Sequence, residues 1–504
     1  MTEGGELPGA APQWQRLSPR MLLVHPVHEV LQQIPLLIGS VVLGSATGNP
    51  LWTVAAVVLT ILFGLARWFT TFYRIEPTEV QLRTGVLQRK VLSVPRNRIR
   101  SVSADARLLH RVMGLTVLRI STGQEAKGDT VFALDAVEAG EVPRLRAILL
   151  ADATPEEQAP AGRELARWQP AWLRYSPLSF TGLAMILAAF GIVYQAGAGA
   201  LVRDSRLAQS GLDAAERLGV AVTVVVVVVA VLVASVVLSV LRSLLTYGNL
   251  VLTRRDLPGG VPGGIPGGEG VLHLQYGLLR AREHTYDMRR LRGGTLREPL
   301  LVRMFGGARL DAVMTGVGGE GEASLLLPPC PAATAQEVLT ALIGRRDAVS
   351  GPLRTHGPAA TRRRWTRALA LPVAALPVLI VVGVPGWGWG LWLLVTAAAT
   401  LLAADRSRAL GHRVDGDWLV ARAGSVERRR DCVQTDGIIG WTVRQTLLQR
   451  RAGVATLVAA TAAGQKRYEV IDVPAGQAWA IAATATPWVA GSVWAGVPTG
   501  SDLR

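Results

Sequence analysis

Residues 85–123 read GVLQRKVLSVPRNRIRSVSADARLLHRVMGLTVLRISTG, and their spacing returns twice further along the chain. Gly85 is followed 26 residues later by Arg111, 29 later by Gly114 and 33 later by Leu118. The same offsets lead from Gly277 to Arg303, Gly306 and Leu310, and from Gly424 to Arg450, Gly453 and Leu457; Leu109, Leu301 and Leu448 match as well. Constant offsets in three diverged segments are the mark of an internal repeat.

Each segment opens with two short strands about a turn: FYRI and VQLRTG in the first, LVLTRRDL and GVLHLQYG in the second, HRVDGDWLVARAG in the third. Asp415-Gly416 is a hairpin signal. β-Branched stretches follow (Val117–Thr122, Ala455–Thr461), and each segment closes on a helical stretch: 136–151, 334–343 and 476–485. Mostly antiparallel strands with one C-terminal helix predict a small split β-barrel or sandwich. In the second segment DLPGGVPGGIPGGEG (256–270) fills the first hairpin turn; no Lys-Ser/Thr follows to make a phosphate loop, so it is an expanded turn.

Before each segment stands an apolar pair. Residues 30–66 and 368–404 carry no charge and are broken near the middle by GSATGNP and VPGWGWG, which reads as two helices and a tight turn in each, a span needing roughly 20 apolar residues. The middle pair is drawn apart, at 176–202 and 218–241, by the polar loop 203–217. Six transmembrane helices in three hairpins are thus expected, an α plus β membrane protein in which each hairpin precedes a cytoplasmic domain. A Trp-x-Arg precedes each hairpin (Trp14, Trp172, Trp365), which predicts interfacial helix starts. The two short turns hold no Lys or Arg and the polar loop holds three, so 50 of the 53 basic residues fall outside the connecting loops. The excess of basic residues marks the inside, placing both termini and the three domains in the cytoplasm of a plasma membrane.

The expected organisation is a tail and interfacial segment at 1–29, hairpin at 30–69 and domain at 70–151; a linker at 152–175, hairpin at 176–243 and domain at 244–345; then a basic linker at 346–367, hairpin at 368–404, domain at 405–490 and tail at 491–504.

This combination resembles the bacterial membrane proteins with pleckstrin-homology-like (PH-like) domains of the YdbS/YdbT type, in the three-domain YdbT-like subgroup. The first segment carries the likeness through Gly85, Leu87, Pro95, Arg98, Ile99, Leu109, Arg111, Gly114, Leu115, Leu118, Ile120, Thr122 and Gly123. Where it has Pro95 and Arg98, the others have Asp287 and Arg290, then Gln434 and Gly437. The resemblance implies a split barrel with a capping helix and residence in a membrane, and no reaction.

Chemistry is sparse. His25-Pro26-Val27-His28-Glu29 lacks the HExxH order of a zinc protease helix, and Cys330 and Cys432 stand alone, so no metal, cofactor or catalytic residue is expected. Gln32, Gln33 and Gln195 are the strongest polar groups in the apolar runs, which gives ion or proton transport little support. Residues 88–111 hold no aromatic to interleave with their basic groups, so nucleic acid is not an expected partner. The sequence therefore predicts a membrane scaffold, not an enzyme, whose domains bind protein partners, further copies of the chain or anionic headgroups, with a role in envelope stress tolerance. The alternative is an accessory or regulatory subunit of a transport or export system. Arg89, Lys90, Arg96, Arg98, Arg100 and Arg111 are the candidate contacts, while Gly85, Gly114, Gly277, Gly306, Gly424 and Gly453 are read as structural.

Overall fold

The computed structural model describes residues 14–16, 18–20, 69–76, 78–85, 89–96, 99, 101–106, 108–121, 132–142, 144–145, 162–179, 184–188, 219–255, 270–316 and 324–492, with single positions between 51 and 66 and at 191. The chain divides into two compact units, residues 1–164, 250–264 and 268–290 in one and 165–249, 265–267 and 291–504 in the other.

In the first unit, β1 (Gln15–Arg16), β2 (Phe72–Ile75), β3 (Glu79–Thr84) and β4 (Lys90–Pro95) form an antiparallel meander in that order. Then come β5 (Ser101–Ala106), the short α1 (Leu108–Val112), β6 (Leu115–Ser121) and β7 (Phe132–Glu138). Alternation in β3 turns Val80 and Leu82 inward, where they join Tyr73 and Val94 from the meander and Val102, Leu115, Leu118, Ile120 and Leu134 from the second sheet in one core. The four-stranded meander and the β5-β6-β7 part of a seven-stranded sheet thus share one core. A strand β8 (Arg163–Arg167) follows in the chain.

The second segment supplies this unit with β9 (Val251–Arg255), β10 (Val271–Tyr276) and β11 (Ala281–Asp287). Arg255 pairs with Val271, so the Pro-Gly-Gly stretch does occupy the first hairpin turn; its own residues 256–269 lie outside the described ones. β11 lies antiparallel against β5, with Tyr286 opposite Ser101 and Ala281 opposite Ala106.

In the second unit the second segment continues with β12 (Leu291–Pro299), α3 (Leu300–Met304), β13 (Gly307–Met314), β14 (Leu325–Pro331) and α4 (Ala332–Ile343). The third segment contributes β15 (Gly411–Asp415), β16 (Trp418–Ala423), β17 (Glu427–Gln434), β18 (Ile438–Arg444), α8 (Leu447–Arg451), β19 (Val454–Thr461), β20 (Arg467–Pro474), α9 (Ala478–Ala485) and α10 (Pro487–Ala490). β12 pairs with β17, Gly293 opposite Val433 and Pro299 opposite Glu427, making a six-stranded sheet ordered β14-β13-β12-β17-β16-β15; β18-β19-β20 form a separate sheet. Leu419, Leu457, Val470, Val473, Ile481 and Ala482 close a core beneath α9.

The recurrent glycines explain themselves by backbone angle. Gly85, Gly277 and Gly424 have φ of 128°, 106° and 101°, and Gly114, Gly306 and Gly453 have 68°, 73° and 67°, values that L side chains rarely adopt. The turn at the second set is the same each time: its N–H reaches the carbonyl of Arg111, Arg303 or Arg450, and its carbonyl accepts from Ala139, Ala332 or Ala475. The second hairpin also keeps one register, Glu79 opposite Pro95, Val271 opposite Asp287 and Trp418 opposite Gln434, each six residues before and ten after its glycine.

Among the described residues three helices are long and apolar enough to cross a membrane: α2 (Val220–Tyr247), α6 (Gly357–Val382) and α7 (Gly386–Ala409). On α2 every residue from Val224 to Val229 is exposed, as suits a lipid-facing helix. α6 ends at Gly383, whose φ of 66° permits the turn into α7, and the Trp392 indole donates to the Pro372 carbonyl at 3.0 Å across the pair. The remaining expected spans, at 30–69 and 176–202, fall largely outside the described residues.

Two expectations need correction, and a third is only partly described. The stretch 346–367 is not a linker: α5 (Arg346–Ser350) opens it, and from Gly357 it is the first turns of α6, because Arg362–Arg367 extend an unbroken helical run. Gln15 and Arg16 after Trp14 pair with Tyr73 and Phe72 as β1, and the helix expected to start after them falls outside the described residues. Trp172 and Tyr175 sit in a 3-10 helix (Pro170–Ser179) at 4% and 0% exposure, not at an interface; Tyr175 packs on Gly307, and its hydroxyl lies 3.4 Å from the Phe305 carbonyl.

Candidate functional site

The basic run of the first segment divides on the structure. Arg89 and Lys90 lead into β4 and are exposed, and Arg96 just beyond it is half-buried; Arg98 and Arg100 lie outside the described residues. Arg111 is exposed near the end of α1, where its guanidinium donates to the Leu278 carbonyl at 3.1 Å. Beside it Asp105, 5% exposed, takes both arms of Arg280. Burial alone would raise this carboxyl, but the Arg280 bonds and the charges of Arg280, Arg119 and Arg282 hold it below the usual range.

The recurrent arginines diverge in use. Arg303 binds the Asp405 carboxylate at 2.7 Å, while Arg450 is exposed. Asp405, near the end of α7, also accepts from Arg428 at 2.7 Å and from the Ser425 hydroxyl at 2.9 Å, so one carboxylate ties a membrane-type helix to β17 and α3.

A second tie lies at the start of α6. Arg363 and Arg364 both reach Asp472, 1% exposed at φ 58° in β20, which also accepts from Gln449 at 2.9 Å. Next to it His356 and His412 touch, Nε2 to Nδ1 at 2.8 Å, with His356 Nδ1 2.7 Å from the Ile471 carbonyl. A carbonyl only accepts, so His356 carries its proton on Nδ1 and receives one from His412. Burial lowers both imidazoles, and the neighbouring charges of His356 and Arg354 help push His412 to about 4.

Between these ties opens a cleft of about 520 Å³, with Arg364, Arg367 and Arg406 set beside Ala368, Ala399, Leu402 and Ala403; Ser425 and Glu427 also line it, three cations to one carboxylate. Arg367 and Arg406 are exposed. Cations adjoining an apolar wall at the foot of two membrane-type helices suit a phosphate group with an alkyl tail. Sequence reading missed this site by assigning 346–367 to a linker; the arginine run abutting the uncharged stretch at Ala368 was its only signal. Cys330 and Cys432 are buried, their thiols pushed up to about 12 by burial, and among the described residues no His, Cys, Asp and Glu group could hold a metal. His25 and His28 lie outside those residues.

A family model for the bacterial PH domain matches residues 31–153 and 368–484. No curated protein and no solved structure matches the chain. Each matched stretch begins in an uncharged run and ends after the strands that follow it, so the family unit is the apolar run and the β-domain together; the second segment, with its split helix pair and expanded turn, is not matched. With its glycine turns and its apolar helices, the chain carries two regions of the bacterial PH-domain family, residues 31–153 and 368–484.

Proposed function

We propose that this protein is an integral membrane scaffold that carries three repeated PH-like domains on six helices and presents them at the cytoplasmic face, where basic side chains hold anionic lipid headgroups. The arginine-lined cleft at the foot of α6 and α7 carries this reading. An exposed guanidinium near an anionic leaflet gains about 1 kcal/mol, and the apolar wall beside Arg367 and Arg406 accommodates the chain attached to the headgroup. Arg89, Lys90 and Arg111 extend the same charge on the first domain. Buried, neutral cysteines accord with a cytoplasmic placement of the domains.

The test uses the full chain in neutral phosphatidylcholine nanodiscs, capturing vesicles with or without phosphatidylglycerol. Capture requires the anionic lipid and weakens with salt. Changing Arg367 and Arg406 to Gln, or Arg89, Lys90 and Arg111 to Gln, lowers affinity by roughly tenfold to a hundredfold. Capture indifferent to phosphatidylglycerol and salt overturns the headgroup reading.

A further inference from the structure

Consecutive segments share sheets by one rule. In both junctions the residue 16 after one register glycine faces the residue nine after the next: Ser101 with Tyr286, and Gly293 with Val433. The chain therefore adds each segment by pairing the fourth strand of one with the third strand of the following one, in a fixed register.

Two strands of this type are left over. Among the described residues β4, the third strand of the first segment, pairs only with β3, and β18, the fourth strand of the last segment, pairs only with β19. β4 keeps the hairpin register of β11 and β17. β18 keeps the irregularity of β12 as well: the register shifts between Leu291 and Gly293 against β13, and between Ile438 and Gly440 against β19.

The glycine at that shift is informative. At Gly293, φ 141°, a β-carbon would overlap the Cys432 carbonyl, because the partner strand lies there; at Gly440 nothing lies within 4 Å. Gly440 does not share that positive φ, and its own β-carbon direction is uncrowded.

We infer that the chain associates head to tail with further copies of itself, β18 of one pairing antiparallel with β4 of the next, Gly440 opposite Val94, Thr442 opposite Leu92 and Arg444 opposite Lys90. Continuity with the two internal junctions selects a second copy as the occupant. Pro95, which has no N–H to give, falls one residue beyond this ladder, where Asp287 and Gln434 stand outside the internal ones. The like charges of Arg444 and Lys90 take the positions of Arg297 and Arg429, which face each other in the second junction with Glu427 bound to both; Arg444 has Glu469 at 3.7 Å. Such an interface is heterologous, so copies add into a ring or an open row. This names the partner within the scaffold reading yet rests on the sheets alone, and headgroup binding can fail while it stands.

Adjacent positions in an antiparallel ladder alternate between hydrogen-bonded and non-hydrogen-bonded pairs, and one kind holds the side chains closer. Two double variants of the full chain, L92C/T442C and V91C/V443C, thus test the register in native membranes under mild oxidation. We expect at least one to give a ladder of dimers and larger species on non-reducing gels, while L92C/V443C, whose side chains leave opposite faces, does not. A monomeric parent chain by light scattering in detergent, cross-links confined within one chain, or ladders equal in the out-of-register pair each overturn the inference.

Discussion

Among the described residues the His356–His412 contact couples stability to pH near neutrality. Its hydrogen bond needs His356 neutral, since a proton on His356 Nε2 would set two donors face to face at 2.8 Å, and burial keeps His412 neutral as well. An unfolded histidine takes its proton near 6.5, whereas folded His412 resists until about 4. Stability from this site is complete above pH 6.5 and drains away as pH falls toward 4, by about 2 kcal/mol at pH 5. Tryptophan-monitored unfolding in detergent should therefore show a melting temperature that drops between pH 7 and pH 5, with a shallower slope in His412→Asn. An equal slope in the variant would remove the pair from the account. Nothing in the sequence brings His356 to His412: they are 56 residues apart, on either side of the α6–α7 pair. The glycines at 85, 277 and 424 were legible because a positive φ leaves glycine as the ordinary choice, so the constraint is local and shows as spacing.

At the scale of elements, the sequence carried strand order and helix ends better than it carried docking. WQRLSP and WLRYSP look alike, yet Trp14 precedes a strand while Trp172 and Tyr175 are buried beside α3 and β13. The difference is tertiary: Gly307 leaves room for the Tyr175 ring, and a β-carbon there would come within 2.5 Å of it. Gly307→Ala should cost about 1–3 kcal/mol by overpacking. Trimming the ring in Tyr175→Leu should recover part of that loss, read as a less-than-additive double-mutant cycle in denaturant unfolding. Full additivity would separate the two residues. The basic run at 362–367 was legible as charge and not as structure, because a helix that leaves the hydrocarbon continues past the last apolar residue.

For the whole molecule, three described helices suffice to anchor it, and their exposed apolar surfaces demand lipid or detergent. The chain should stay in the membrane pellet through alkaline carbonate extraction; release into the supernatant would contradict the membrane reading. What spacing could not show is that neighbouring segments share sheets, since a third or fourth strand has the same alternation whether its far edge is empty or paired. That sharing has a consequence for biosynthesis. Asp105 and its partner Arg280 are 175 residues apart, and apolar segments must enter the membrane between them. At about 5–20 residues per second the β5 edge waits about 10–35 s for β11 to emerge. Throughout that interval each nascent chain on a polysome displays a strand edge that a neighbouring nascent chain can take, so the order of synthesis itself selects which copy completes the sheet.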